Sequence, residues 1–250
     1  MIRGPLVEHA FGSDPHFRWR GHEVNRLEAF SDAVFAFALT LLVVALEVPR
    51  TYQQLLDAVR GFPAFAACFA LLYVIWYQHY TYFRRYGIVD RFVVVWNAVL
   101  VFLVLFFVYP LKFLFSLLFG AWMINLGWID PDTSQAFVAR IREGLDGWDP
   151  RQLMLIYSGG YLAVSAVFIV LYRHAWQLRE RLELDALERH LTVDALASHG
   201  VDAGIAILSL AIAWFGDASS SAWAGLVYVL IGPAHALLGF RRGRGRPSRA

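Results

Sequence analysis

Six long apolar segments restrict what this chain can fold into more than any other feature of its sequence. A helix needs about 20 mostly apolar residues to cross a bilayer. Segments of roughly that length lie at about residues 26–48, 62–83, 92–124, 153–172, 201–215 and 222–240. Charged residues make up only 17% of the chain, whereas a soluble domain has about a quarter. The sequence therefore predicts an all-α polytopic membrane protein with six transmembrane helices, surrounded by the lipid bilayer.

Two stretches depart from a simple series of crossings. The third apolar segment is too long for one straight crossing and contains Pro110, so we expect a bend there and an extension into the interface. The fifth segment is short. Before it, residues 177–198 carry leucines on one side among charged residues, which predicts an amphipathic helix on the cytoplasmic membrane surface. A gate or a partner contact is the alternative role for this helix.

The placement of arginine predicts how the chain is oriented. Most of the 22 lysine and arginine residues lie in the termini and in loops on the same side of the predicted spans. Such residues concentrate on the cytoplasmic side, so we expect a multi-pass protein of the cell membrane with both termini cytoplasmic. The chain then divides into an N-terminal segment (residues 1–25), a six-helix domain (26–240) and a basic tail (241–250). The tail is expected to anchor on anionic lipid, and no nucleic-acid partner is expected.

Polar residues at one end of the first three spans form a second constraint. Ser31 and Asp32 lie about two turns inside the first span, where a polar group is costly unless it faces the bundle interior and is paired. Trp76 and His79 of the second span and Asn97 of the third lie at a similar depth. We therefore expect one network of these five side chains. It would either staple three helices together or, in addition, hold a pore-lining helix in one rotation.

One side of the first span carries a regular stripe of side chains, at spacings of four and three that place them on one helix face. Its members are Arg26, Phe30, Ala33, Phe37, Leu41 and Val44. A second face, about 100–140° away at about 100° per residue, carries Asp32, Ala36, Leu39 and Val43. The first face would point toward neighbouring copies and the second would hold the polar network, although ordinary packing produces such stripes as well.

Several short motifs follow one another along the chain. They are Arg26-x-x-x-Phe30-Ser31-Asp32, Thr40-Leu41-Leu42, Pro49, Trp76-x-x-His79, Asp90, Asn97, Pro110, Tyr172-Arg173-His174-Ala175 and Gly232-Pro233-x-His235. In this combination and six-span order, the chain resembles the transmembrane protein 175 family of lysosomal and prokaryotic potassium channels.

The resemblance implies a homotetramer in which the first helix of each subunit lines a central pore. A ring of bulky apolar side chains on that helix would form the constriction, and the matching positions here are Phe37, Leu41 and Val44, with Thr40 alongside. A supporting network would comprise Arg26, Phe30, Ser31, Asp32, Trp76, His79 and Asn97. The implied function is a cation channel, with potassium as the expected permeant ion and no enzymatic activity, catalytic residue, cofactor or resident metal.

Two residues of the first span leave alternatives open. The family usually has Ile or Leu where this chain has Phe37, and four phenyl rings would either close the pore by dewetting or attract a dehydrated cation. A closed pore would make the protein a non-conducting membrane scaffold that retains the channel fold. Glu47, at the outer end of the span, would form a ring that concentrates cations or would be a solvated glutamate paired with Arg50.

Overall fold

The computed structural model describes residues 17–21, 23–44, 50–125, 149–217 and 220–243. Within these ranges the regular elements are helices, and six of them are long and apolar enough to cross a membrane. The helices are α1 (Arg26–Val44), α2 (Tyr52–Arg60), α3 (Phe62–Tyr86), α4 (Arg91–Asn125), α5 (Pro150–Gln177), α6 (Ala186–Phe215), α7 (Ser221–Leu226), a 3₁₀ turn (Val227–Leu230) and α8 (Ile231–Gly243). The last three together form the sixth span. The predicted all-α fold with six membrane-spanning helices is confirmed.

Consecutive spans alternate in direction, so their ends meet on two sides of the bundle. We call the end that holds the first turns of α1, α4 and α6 the basal end, and the opposite one the distal end. Side-chain contacts join the helices at the basal end. His174 near the end of α5 lies 2.7 Å from Asp90 before α4, and Arg242 of α8 lies 2.6 Å from Asp194 of α6.

Two apolar cores fill the bundle at different depths. The basal core is aromatic: the rings of Tyr82, Tyr86 and Tyr172 meet edge to face or tilted, with centroids 5.2–5.8 Å apart. The distal core lies between α1, α3 and α4 and contains Phe35, Leu42, Cys68, Leu72 and Val104. Because α1 contributes to the distal core from one face only, its opposite face is left outside both cores.

The connection between the fourth and fifth spans corrects the prediction of a separate surface helix over residues 177–198. Helix α5 ends at Gln177, a turn follows, and α6 runs without a break from Ala186 to Phe215. Asp185 and Glu188 form a capping box that starts the helix there. The leucines assigned to the membrane surface lie inside the bundle instead, because Leu187 is buried and Leu178, Leu182 and Leu191 pack against the basal core. The fifth span is therefore long.

Helix α4 is one 35-residue helix with Pro110 inside it. At about 1.5 Å per residue it measures about 52 Å, which exceeds the roughly 30 Å of a bilayer's hydrocarbon core, so it extends beyond one crossing as expected. It also interlocks with α5: the ring of Phe107 lies directly over Gly160, where a Cβ atom would overlap the ring carbons. This close approach fixes the spacing of the two helices.

Candidate functional site

The first turn of α1 is fixed by a capping box that was not among the predicted contacts. The Glu28 amide donates to Asn25 Oδ1 at 2.9 Å, and Glu28 Oε1 accepts from the Asn25 amide at 3.5 Å and from Asn25 Nδ2 at 2.6 Å. The guanidinium of Arg84, at the end of α3, lies 4.0 Å from the other oxygen of Glu28. Asn25-x-x-Glu28 is a recognisable helix-start signal, so the sequence contained the information needed to find it.

Helix α1 turns a different face to the bundle from the predicted one. Its buried residues recur at spacings of three and four and are Glu28, Ser31, Phe35, Ala38 and Leu42. The face that we predicted to hold the polar network is wrong in phase, because three of its four residues, Asp32, Ala36 and Val43, are exposed. One residue along a helix changes the direction of a side chain by about 100°. The small Ser31 hydroxyl fits against α4 and bonds to the Leu27 carbonyl at 2.9 Å, which makes it the residue that can be buried.

A chain of hydrogen bonds joins α1, α4 and α3 at the predicted depth. Asn97 Nδ2 donates to Ser31 Oγ at 2.8 Å, and His79 Nε2 lies 2.8 Å from Asn97 Oδ1. Because an amide oxygen only accepts, we assign the hydrogen of the imidazole to Nε2. All three side chains are fully buried. Buried polar groups cost free energy unless they are paired, so this chain permits one rotation of α1 against its neighbours.

Asp32 makes a separate contact rather than joining that chain. Trp76 Nε1 donates to Asp32 Oδ1 at 2.8 Å, and the indole is held between Tyr73 and Tyr80 on the same face of α3. Among the described residues, Asp32 makes no hydrogen bond or ion pair with His79 or Arg26. The single five-residue network that we predicted is therefore two contacts, and Asp32 lies at the exposed edge of α1.

The stripe on α1 lies on the surface of the single subunit. Phe37 is 56% exposed, and Arg26, Phe30, Ala33, Thr40 and Val44 are exposed as well. Leu41 is half-buried against the distal core. Arg26 and Phe30, which the resemblance assigns to the supporting network, thus lie on the open face instead. Glu47 and Pro49 lie outside the described residues.

Comparison with known proteins decides what kind of molecule this is. A family model described as "Endosomal/lysosomal potassium channel TMEM175" matches residues 26–108. A protein from Marivirga tractuosa named potassium channel is 34% identical over 237 residues, which is 94% of both chains. The chain belongs to the TMEM175 family. This is a family of potassium channels and not of enzymes.

Further relatives of the TMEM175 family agree in sequence and fold. A protein from Chamaesiphon minutus, named potassium channel Cha6605_3372, is 31% identical over 182 residues, covering 70% of this chain and 75% of its own. The solved structure of a potassium channel MtTMEM175 variant, in complex with a nanobody fusion, superposes with a TM-score of 0.80 at 32% identity. It covers 94% of this chain and 100% of that one. A TMEM175 homolog from Chamaesiphon minutus, at 24% identity over 87% and 96% of the two chains, shares the fold with a TM-score of 0.51.

The remaining family-like motifs join helices at the basal end and midway along α6. His174 Nε2 lies 2.7 Å from Asp90 Oδ2, and the Val93 amide donates to Asp90 Oδ1 at 2.8 Å. Partial burial opposes ionisation of Asp90, but the Val93 amide and the His174 ring together hold its pKa below the ordinary value. His235 of α8 lies 2.8 Å from Asp202 of α6. These pairs connect α4 to α5 and α6 to α8.

Resident metal is not part of the function that we expect. Within the described ranges, no group of three or more His, Cys, Asp or Glu side chains is arranged to hold a metal ion. The expectation of no metal and no cofactor stays a prediction.

Proposed function

We propose that this chain is the subunit of a homotetrameric potassium channel of the cell membrane, with its basal end and both termini in the cytoplasm. The pore would be lined by α1 of each subunit. One observation carries the proposal: α1 is locked by buried polar contacts on one face and exposes large apolar side chains on the other. The naming of the relatives as potassium channels supports the choice of ion.

Phe37, Leu41 and Val44 would form a hydrophobic constriction with Thr40 between them. Rings of apolar side chains gate a pore by excluding water from it. The Thr40 hydroxyl donates its hydrogen to the Ala36 carbonyl at 2.9 Å, so it presents lone pairs outward. An oxygen of this kind can accept from water or coordinate a cation but cannot donate to an anion. Glu47 would add an outer ring of carboxylates that attracts cations.

The supporting contacts would aim this constriction. Ser31, Asn97 and His79 hold the basal half of α1 from behind, and Asp32 with Trp76 holds its edge. Because rotating α1 would break buried hydrogen bonds, Phe37 would stay directed at the pore axis. Arg26 and Phe30, at the basal end of the exposed stripe, would lie near the cytoplasmic entrance.

The test is ion flux into liposomes that contain the purified full-length chain, with potassium and sodium gradients compared for wild type and Phe37→Ala. Phe102 of α4 is 64% exposed, so Phe102→Ala is a matched control outside the stripe. We expect potassium flux that Phe37→Ala increases and Phe102→Ala leaves unchanged. No cation flux from either wild type or Phe37→Ala would overturn the proposal and favour the non-conducting scaffold.

A further inference from the structure

A short segment before α1, the basal strap (residues 17–21), is bound on two sides by other helices. Its Arg20 side chain forms a bidentate ion pair with Glu188 in the first turn of α6, at 2.6 Å and 3.1 Å. The two side chains are only 12% and 2% exposed. A buried pair of this geometry is far more costly to break than an exposed one, because removing one partner leaves the other charge buried alone.

The ion pair is the centre of a fully used set of hydrogen bonds. Glu188 also accepts from the backbone amides of Arg18 at 2.8 Å and Asp185 at 3.2 Å. Arg20 also donates to the carbonyls of Leu182 at 2.9 Å and Glu183 at 3.3 Å. The strap is therefore attached both to α6 and to the turn that precedes it.

The other side of the basal strap lies against the end of α3. The amides of Arg20 and Gly21 both donate to the Arg84 carbonyl, at 3.0 Å and 3.1 Å. A Cβ atom at Gly21 would lie 2.6 Å from the Phe83 carbonyl oxygen, so only glycine permits this approach. Opposite it, Gly87 adopts a φ of 60° beside the Arg20 backbone. Phe17 anchors the start of the strap in the basal core.

Arg84 carries the connection onward to α1. Its guanidinium donates to the Gly21 carbonyl at 2.8 Å and lies 4.0 Å from Glu28, which caps α1. Contacts thus run without interruption from Glu188 through Arg20, Gly21 and Arg84 to the first turn of α1. The supports described above hold α1 from the side, whereas this chain of contacts sets where it begins.

We propose that Arg20 and Glu188 are positioning residues for α1, through which the start of α6 determines the placement of the pore helix. The inference rests on the proposed function in so far as α1 lines the pore. Release of the basal strap would free the basal end of α1, and a wider range of α1 positions would make it easier to open a hydrophobic constriction.

The experiment compares Glu188→Gln with Glu180→Gln in the full-length protein. Glu180 lies in the turn before α6 and contacts Arg189 at 3.1 Å, but its side chain is 68% exposed, so its loss is a control for charge. Hydrogen exchange would be read at the amides of residues 18–21 and at the first turn of α1. We expect about tenfold faster exchange at both places in Glu188→Gln only, as local opening becomes easier.

Single-channel recording of the same proteins gives the functional result. We expect Glu188→Gln to raise the open probability about threefold at unchanged unitary conductance, because the strap biases α1 between positions without touching the ion path. Arg20→Lys keeps the charge but loses the bidentate contact, and should show a smaller change in the same direction. It also serves as the second variant if Glu188→Gln does not fold.

The two readouts separate failure of this inference from failure of the proposed function. Faster exchange in the strap alone, with α1 unchanged, would overturn the positioning role. Conducting channels of Glu188→Gln that open with the same probability as those of Glu180→Gln would overturn it as well. Faster exchange in both segments without ion flux from any variant, wild type included, would leave the positioning of α1 intact and remove the channel function.

Discussion

The two faces of α1 differ in what holds them. The buried face bonds through Ser31 to Asn97 and His79 and packs Phe35 and Leu42 into the distal core. The exposed face presents Phe37 and Val44 without a partner from the described part of the subunit. Because one face is fixed by directional bonds, the other can keep a defined direction without contacts of its own. An exposed surface on this helix is thus compatible with a precise geometry.

Breaking the buried face should give the largest effect. Asn97→Leu would leave His79 Nε2 buried without a partner, at about 1–3 kcal/mol, and would remove one bond to Ser31 Oγ, at about 1 kcal/mol, although that hydroxyl keeps its bond to the Leu27 carbonyl. We expect a total loss of about 2–4 kcal/mol, measured as a lower Tm and loss of the monodisperse assembly in detergent. Ser116→Ala, which removes only an exposed hydroxyl bonded to its own helix, is the control on α4. An equal Tm for the two variants would contradict the bonded chain.

Breaking the exposed face should change conduction and leave stability nearly unchanged. For Phe37→Ala we expect potassium flux to rise about tenfold, which corresponds to a barrier lower by about 1.4 kcal/mol, because the largest ring at the constriction is removed. The Tm of the same protein, measured beside Phe102→Ala, should match that of the control. A large loss of stability would show that Phe37 packs within the assembly instead of facing an open axis.

The edge between the two faces should give an intermediate result. Asp32→Ala removes one hydrogen bond from an exposed carboxylate, so we expect a loss of about 1 kcal/mol. The loss should act through Trp76 and not through His79 or Arg26. A double-mutant cycle with Trp76→Phe tests this, because the two changes should not add if they remove the same bond. Additive losses would mean that Asp32 has another role in the assembly.

Acid should weaken the contact between Asp90 and His174, which holds the start of α4. We expect this to give the smallest effect of the four changes. The pKa of Asp90 is below its ordinary value of 3.8 in the folded protein, so its ionised form contributes stability above that value. The contribution is lost as the pH falls through the folded pKa. Asp90→Asn should therefore lower the Tm slightly at neutral pH and reduce its fall below about pH 4. Glu180→Gln is the control, and identical acid profiles for wild type and Asp90→Asn would contradict the pairing with His174.

The sequence was sufficient for the features that depend on length and depth. Hydropathy predicted six spans, and counting turns from the span ends brought Ser31, His79 and Asn97 into one layer. It was not sufficient for the rotation of α1 about its own axis. Ser31 and Asp32 are adjacent, and an error of one residue turns the packing face by about 100°. Which of the two side chains is buried depends on the space beside α4, and the spacing of residues along α1 carries no information about that space.

Two other features were not predicted from the sequence, for different reasons. The Asp185-x-x-Glu188 signal that starts α6 was present in the sequence, but the charged residues around it suggested a membrane surface instead of the basal core. The pairing of Arg20 with Glu188 had no local signal, because the two residues are 168 positions apart, with four spans between them. The composition of the chain does not show which arginines are buried in the fold and which are exposed.

The contact between Phe107 and Gly160 couples the substitutions that these two distant positions can accept. A methyl group added at Gly160 must displace the ring that lies over it, so it can be accepted only together with a smaller side chain at position 107. Gly160→Ala alone would push α5 away from α4, whereas the same change with Phe107→Leu would restore the space. Chains that diverge from this one are thus expected to carry a side chain at position 160 only where position 107 is smaller than phenylalanine.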